Sequence, residues 1–135
     1  MKKKSLFFAA LFLLCSTFIF AQNKKKKASI SATTGTALKF EELNHSIGMV
    51  KQGTVIAYKF KFTNESKRAV DVKNATATCG CTVPDYPFIP ILPGEQGEIG
   101  VTFNTTHKLG HQKPIVTVTT SAGTYYVSME GTVTD

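Results

Sequence analysis

The chain has 135 residues and a formal net charge of +7, which on its own suggests a basic protein with acidic partners. Two lysine runs, at residues 2–4 and 24–27, account for this whole excess, so the remainder of the chain is neutral. Nucleic-acid-binding domains carry their positive charge on the folded surface. The charge distribution therefore excludes a nucleic-acid partner, and the length leaves room for one core.

The N-terminal segment has the parts of a secretory leader. Residues 2–4 are basic, residues 6–20 are apolar, and Ala21 precedes the polar Gln22. The apolar run is shorter than the roughly 20 residues that a helix needs to cross a bilayer, which favours cleavage over an uncleaved anchor. The sequence predicts a signal peptide over residues 1–21, a flexible basic tail over 22–36 and one domain over 37–135. We expect an exported protein of the periplasm, the cell surface or the medium.

From residue 38 onward, apolar and polar residues alternate as in strands with one buried face. The clearest case runs through Phe60 and Phe62, which we expect to share a core with Val101 and Phe103. The other candidate strands lie at residues 38–40, 70–72, 75–78, 115–120 and 125–133. About seven strands without a helix predict an all-β, immunoglobulin-like antiparallel β-sandwich. Because Trp and a distant cysteine pair are both absent from the predicted domain, the inter-sheet disulfide of antibody domains is excluded.

Several short motifs follow one another along this predicted domain. They are Cys79-Gly80-Cys81-Thr82, Pro93-Gly94-Glu95, Val101-Thr102-Phe103-Asn104 and Gly131-Thr132-Val133. In this order they resemble the bacterial family called domain of unknown function 1573, over roughly residues 38–134. The resemblance implies an exported domain of the Bacteroidetes-type bacteria, similar to Hydin-type and pilus-chaperone-like immunoglobulin sandwiches. It implies no catalytic residue, because the family's function is itself uncharacterised.

The pair Cys79 and Cys81 is the feature most open to chemistry, since Cys15 leaves with the predicted leader. In a regular strand the two Cα atoms would lie about 6.6 Å apart, so a disulfide requires a bend, which Gly80 is suited to supply. An exported compartment favours oxidation, and a ring this tight would be easily reduced. Three interpretations stay open: structural cysteines at a bulge, which we favour, a redox pair, and a clamp for a soft metal.

Two histidines are weaker candidates for metal ligands. His107 and His111 are four residues apart, a spacing that would place both on one face of a helix, but Gly110 between them indicates a loop. Together with Cys79 and Cys81 they would complete a four-ligand set, although nothing in the sequence shows that the four residues meet. His45 is interpreted as a surface residue near the start of the sandwich.

No sequence pattern of an enzyme is present, because the chain lacks a Gly-x-Ser-x-Gly elbow, a carboxylate pair and a phosphate-binding loop. Pro84, Pro87 and Pro90 stiffen one segment, which favours a capped sheet edge over a preorganised binding loop. We expect a monomeric, non-catalytic module without a cofactor that binds an unidentified protein or glycan, or is a structural part of the cell envelope. The alternative is a small periplasmic redox or soft-metal-binding protein that works through the cysteine pair.

Overall fold

The computed structural model describes residues 35–135, so the predicted leader and most of the predicted tail lie outside the described residues. Within this range the chain forms nine strands and no helix, which confirms the predicted all-β sandwich. The strands are β1 (Leu38–Phe40), β2 (Asn44–Lys51), β3 (Val55–Asn64), β4 (Val72–Ala77), β5 (Thr82–Asp85), β6 (Gln96–Asn104), β7 (Gly110–Gln112), β8 (Ile115–Thr120) and β9 (Gly123–Thr134). In the described part of the chain, no helix has the length and hydropathy needed to span a membrane.

The strands form two sheets. The first has four strands in the order β1-β3-β6-β5, and all its neighbours are antiparallel. The second has five strands, in the order β2-β9-β8-β4 with β7 also paired to β9. Strand β2 runs parallel to β9, from Asn44 opposite Ser128 to Lys51 opposite Thr134. The second sheet is therefore mixed, which corrects the expectation of a purely antiparallel sandwich.

The sequence-based prediction does not include strands β2, β5 and β7. Each of them lacks a clear alternation of apolar and polar residues for a physical reason. Strand β2 lies at a sheet edge, has no fully buried side chain and is interrupted by a bulge next to Gly48. Strand β5 contains Pro84, a residue that usually argues against a strand. Strand β7 has only three residues, none of them buried. Two predicted strands merge into β4, so these three additional strands bring the count from about seven to nine.

The core lies between the two sheets. Phe60, Phe62, Val101 and Phe103, which we expected to share one core, are all at most 3% exposed. The side chains that face them from the second sheet include Val116, Val118, Tyr125, Val127 and Met129. Full burial of such a side chain contributes roughly 1.5–3 kcal/mol. Packing therefore holds the two sheets together without a disulfide between them.

The N-terminal end of the described chain packs against the second sheet. Gly35, in the predicted tail, is buried, and a Cβ atom at this position would lie 2.3 Å from the Cζ atom of Tyr125. The Tyr125 hydroxyl also accepts the backbone N–H of Leu38 at 2.9 Å. Packing against the second sheet therefore already includes Gly35.

Candidate functional site

The Cys-Gly-Cys segment is the crossover from β4 in the second sheet to β5 in the first. Cys79 and Cys81 form a disulfide, and their Cα atoms are 5.2 Å apart. The chain bends because the Thr82 N–H donates to the Cys79 carbonyl at 3.2 Å, which closes a tight turn around Gly80 and Cys81. Gly80 is not among the described glycines with positive φ, so the bend does not use the conformational freedom that we expected of it.

This turn is attached to both sheets. On the side of the second sheet, the Thr78 N–H donates to the Ile115 carbonyl at 2.9 Å, and the Thr78 hydroxyl accepts the Ile115 N–H at 3.2 Å. On the side of the first sheet, the Asn104 N–H at the end of β6 donates to the Cys81 carbonyl at 2.8 Å. The disulfide therefore sits at a fixed place at one end of the sandwich, which we call the cleft end.

The disulfide closes a loop that is too small for the bond to stabilise the fold strongly. Cys79 and Cys81 are separated by two positions in sequence. In the chain-entropy model a three-residue loop corresponds to about 1.6 kcal/mol of stabilisation, against about 3 kcal/mol for a 15-residue loop. Backbone hydrogen bonds to both sheets already hold the crossover in place, so the stability of the domain does not by itself account for the cysteine pair.

A buried hydroxyl group lies beside both sulfur atoms. Thr82 is 4% exposed, and its Oγ1 atom is 3.4 Å from Cys79 Sγ and 3.9 Å from Cys81 Sγ. A hydroxyl in this position can donate a hydrogen bond to a thiolate, and such charge-assisted bonds are stronger than neutral ones. Thr82 is therefore placed to stabilise the reduced form of the pair.

A cleft of about 150 Å³ opens next to the disulfide. The residues that line it are Thr78, Cys79, Cys81, Phe103, Lys108, Gln112, Lys113 and Pro114. This lining contains two lysines and no carboxylate. The Lys113 ammonium pairs with Glu130 at 2.6 Å, whereas the Lys108 ammonium has no ion-pair partner among residues 35–135. A positive, partly exposed environment of this kind favours thiolates.

The structure does not bring the two predicted histidine ligands to the cysteines. His107 lies in the turn before β7 with a positive φ of 59°, and neither it nor His111 lines the cleft. His111 belongs to β7 and not to a loop, and its Nε2 atom is 3.5 Å from Glu130 Oε1. No cluster of three or more candidate metal ligands occurs in the described range. With Cys79 and Cys81 bonded to each other, their sulfurs are not thiolate ligands in this state.

The Pro93-Gly94 motif lies at the opposite end of the β3–β6 pair, which we call the hub end. The Glu95 N–H donates to the Leu92 carbonyl at 3.0 Å, and Gly94 has a φ of +81°. Proline followed by a glycine with positive φ is the arrangement of a type II turn. The Glu95 carboxylate also accepts the Leu92 N–H at 2.9 Å. This half of the sequence motif therefore shapes a turn.

Asn64, at the end of β3, organises the hub end and is fully buried. Its side-chain amide donates to the carbonyls of Arg68 at 2.7 Å and Ile91 at 2.8 Å. Its side-chain oxygen accepts both the N–H of Ser66 at 2.9 Å and the Ser66 hydroxyl at 2.7 Å. Its backbone carbonyl accepts the N–H of Gly94 at 2.8 Å. No local pattern in the sequence indicates this burial, because asparagine side chains are mostly exposed.

The loop after β5 exposes a group of large apolar side chains. We call residues 86–92 the apolar loop; Phe88 is 87% exposed, Ile89 is 74% exposed and Leu92 is 51% exposed. The rings of Tyr86 and Phe88 lie 5.4 Å apart and form one aromatic patch. Exposed apolar groups of this kind mark interaction sites when they are contiguous.

The three prolines of this region have two different roles, capping a sheet edge and stiffening a loop, and the sequence suggested both. Pro84 lies in β5, an edge strand of the first sheet, where a missing N–H discourages pairing with another chain. Pro87 and Pro90 instead lie within the apolar loop, where they restrict φ and stiffen the backbone. The segment thus combines a capped edge with a preorganised exposed loop.

His45 is not an isolated surface residue. Its ring stacks on Tyr58 with a centroid distance of 3.5 Å, and its Nδ1 atom lies 3.0 Å from Glu42 Oε1. The hydrogen bond from Tyr58 and then that from His45 lower the pKa of the Glu42 carboxyl, and the hydrogen bond to Glu42 raises the pKa of the Tyr58 hydroxyl. The three polar groups engage one another, so the cluster joins the β1–β2 link to β3.

A cleft of about 510 Å³ lies at the hub end. Residues 66–71 and the turn residues Ser121 and Ala122 form most of its lining. It contains the charged side chains of Lys67, Arg68 and Asp71, but no cysteine or histidine. Reactive sulfur chemistry belongs instead to the smaller cleft at the cleft end, which both cysteines line.

Two packed sheets, a mixed second sheet and the sheet-to-sheet crossovers define an immunoglobulin-like, PapD-like β-sandwich. The family model described as Protein of unknown function (DUF1573) matches residues 38–133, so the chain belongs to this family. The family resemblance seen in the short motifs is thereby confirmed. Among curated proteins, none matches the chain.

Solved structures with the same fold come from unrelated settings. The secreted serine protease VesC from Vibrio cholerae superposes with a TM-score of 0.60 at 12% identity, over 76% of this chain and 24% of the protease. A protein of unknown function from Porphyromonas gingivalis gives 0.60 at 8% identity, over 71% of this chain and 46% of that one. PapD-like domain 7 of human CEP192 gives 0.60 at 9% identity, over 75% and 87%. The chain spans less than half of the first two proteins, and at these identities the likeness shows the fold alone.

Proposed function

We propose that this protein is an exported, monomeric, non-catalytic immunoglobulin-like module that binds a protein of the cell envelope through its apolar loop. The observation that carries the proposal is the exposure of Phe88 at 87% and of Ile89 at 74% on a loop that contains Pro87 and Pro90. Hydrophobic anchors supply most of the binding energy in protein interfaces. A stiff loop binds with a smaller loss of conformational entropy than a flexible one.

The surroundings of the apolar loop favour a protein partner over a membrane. A cleft of about 210 Å³ beside the loop is lined by Asp85 and by the ion-paired Lys59 and Glu98. An apolar centre with a charged rim of both signs is the usual anatomy of a protein interface. Asp85 and Glu95 flank the loop in sequence, and these acidic groups repel the anionic lipid surfaces that bind basic segments.

The loop also favours a protein over a glycan. Its exposed side chains are mainly aliphatic or phenyl groups, which cannot donate or accept the hydrogen bonds that sugar hydroxyls require. Membership of a family with an immunoglobulin-like fold supports the non-catalytic part of the proposal. The predicted leader over residues 1–21 supports export, and the intact mass of protein recovered from the envelope tests it by showing whether the chain begins at Gln22.

Site-specific photo-crosslinking tests the binding role. A photo-reactive amino acid is placed at position 88 in the full chain, and in a matched variant at Met49, which is 81% exposed on β2. Irradiation of the native envelope should give one discrete protein adduct from position 88 and none from position 49. Adding Ile89→Ser and Leu92→Ser should abolish the adduct, because these changes remove neighbouring apolar anchors. Equal adducts from both positions, adducts to lipid only, or no adduct would contradict the proposal.

A further inference from the structure

We propose that the Cys79–Cys81 disulfide is a reactive bond that undergoes thiol–disulfide exchange with a protein dithiol, assisted by Thr82 and Lys108. This activity lies beyond the proposed binding role, because it rests on the cleft end and not on the apolar loop. The two regions can therefore be tested independently of each other.

The disulfide is open to an approaching thiol. Cys79 and Cys81 are both partly exposed, and both line the cleft of about 150 Å³. Above Gly80, between them, a Cβ atom would meet no heavy atom within 4 Å. Disulfides that serve only as staples are usually shielded within the fold, whereas exposed ones are the labile ones. A thiol can therefore reach this bond without opening of the sandwich.

The groups around the bond favour its reduced form. Thr82 Oγ1 lies within hydrogen-bond distance of both sulfurs, and it is nearer to Cys79 Sγ, at 3.4 Å, than to Cys81 Sγ, at 3.9 Å. Lys108 lines the same cleft, and its ammonium group has no ion-pair partner in the described part of the chain. A hydroxyl donor and a positive charge both stabilise a thiolate leaving group, and a better leaving group makes exchange faster.

The exchange is balanced without an added cofactor. One thiolate of the partner attacks Cys81 Sγ, which breaks the Cys79–Cys81 bond and forms a mixed disulfide. Cys79 leaves as the thiolate, next to the nearer Thr82 hydroxyl. The second thiol of the partner then attacks the partner's other sulfur, the one bonded to Cys81. This step closes a disulfide within the partner and releases Cys81. Two electrons and two protons pass from the partner dithiol to the cysteine pair, so each chain transfers its disulfide once.

The first test compares the folded protein with the same ring in a peptide. A disulfide-closed peptide of residues 78–84 has the identical Cys-Gly-Cys ring but lacks the cleft. Reduced glutathione is added to each, the reaction is stopped by alkylation, and the products are counted by mass spectrometry. We expect the native full chain to react at least about fivefold faster than the peptide, because the cleft adds a positive charge and the fold holds the Thr82 hydroxyl beside the sulfurs, whereas this hydroxyl is free to turn away in the peptide. A rate equal to or below that of the peptide would overturn the proposal.

Two variants test the named assisting groups. Lys108→Gln should slow the reaction by about threefold to fivefold, and the effect should shrink in high salt. Lys67→Gln at the hub end makes the same change in net charge and should leave the rate unchanged. Thr82→Val should lower the equilibrium constant for reduction by roughly tenfold, because it removes the hydroxyl donor. If Lys108→Gln behaves like Lys67→Gln and Thr82→Val keeps the parental constant, the disulfide gains nothing from the fold and the proposal is wrong.

A dithiol substrate completes the test. A reduced Cys-x-x-Cys peptide mixed with the oxidised full chain should become oxidised in equal amount to the protein disulfide lost. The apolar-loop change Phe88→Ser should leave this transfer unaffected, since position 88 does not line the cleft. If the transfer fails while the photo-crosslink at position 88 still forms, the exchange activity is wrong and the binding role stands. If the transfer occurs while no crosslink forms at position 88, the binding role is wrong and the exchange activity stands.

Discussion

The hub end and the cleft end both carry part of the sequence motif of this family, yet the two ends are built in opposite ways. At the hub end, buried Asn64 makes hydrogen bonds with each of its side-chain polar atoms, and the Pro93-Gly94 turn is closed by backbone bonds. At the cleft end, the cysteine pair is partly exposed. Lys108 lines the same cleft and has no ion-pair partner among the described residues. The comparison shows that motif residues in one short sequence can divide between folding and chemistry.

The largest expected effect belongs to the hub end. Asn64→Ala removes one of two hydrogen bonds to each of the Ile91 and Arg68 carbonyls and the acceptor of the Ser66 N–H, and it should lower the free energy of unfolding by about 3 kcal/mol. Denaturant unfolding measures this change. Asn104→Ala is the matched control, because Asn104 ends the paired strand at the cleft end, is exposed and accepts only the Thr106 N–H. Its cost should stay below about 1 kcal/mol; similar losses for both variants would break the contrast.

A smaller effect is expected when the cysteine pair is removed. Replacing both Cys79 and Cys81 by Ala should lower the free energy of unfolding by about 1.5 kcal/mol, because the disulfide closes a loop of only three residues. The circular dichroism spectrum and the cooperativity of unfolding should be retained. A loss of about 3 kcal/mol or more would make the bond a structural staple, as first expected from the sequence, and would weaken the difference between the two ends.

The smallest effect compares one glycine from each end. A Cβ atom would meet no neighbour within 4 Å at Gly94 or at Gly80, so only the backbone conformation separates the two positions. Gly94 has a φ of +81°, and Gly94→Ala should therefore cost about 1 kcal/mol. Gly80→Ala should change the free energy of unfolding by less than about 0.5 kcal/mol. Thermal melts of the two variants side by side decide the matter, and equal shifts would show that the Cys-Gly-Cys turn is as restrictive as the Pro-Gly turn.

Much of the fold follows from the sequence, because a strand that is buried on one face alternates apolar and polar residues. Strands β3, β6, β8 and β9 are all recognisable in this way, and the four core residues expected from the alternation are buried. The edge strands β2 and β5 carry no such record, since β2 has no fully buried side chain and is interrupted by a bulge, and β5 contains Pro84. The parallel pairing of β2 with β9 depends on tertiary contacts between segments more than 80 residues apart, for which local periodicity has no signal.

The candidate site is only partly accessible to sequence reasoning. The cysteine pair is visible in the sequence, but its oxidation depends on a bend that a hydrogen bond between Thr82 and Cys79 produces. Lys108 reaches the cleft from a different part of the chain, and neither its position nor its lack of an ion pair within residues 35–135 follows from a local pattern. The exposure of Phe88 could likewise not be predicted from the sequence, because a proline-rich apolar stretch is compatible with a buried edge or an exposed loop.

The parallel pairing of β2 and β9 also determines how this domain carries mechanical load. Strand β2 begins at Asn44, opposite Ser128, and β9 ends at Thr134, opposite Lys51 at the other end of the sandwich. A pulling force applied to the start of β2 and to the end of β9 therefore acts along the two strands in opposite directions. The backbone hydrogen bonds between these strands are then strained together in shear, and they do not open one after another as in a peeled hairpin.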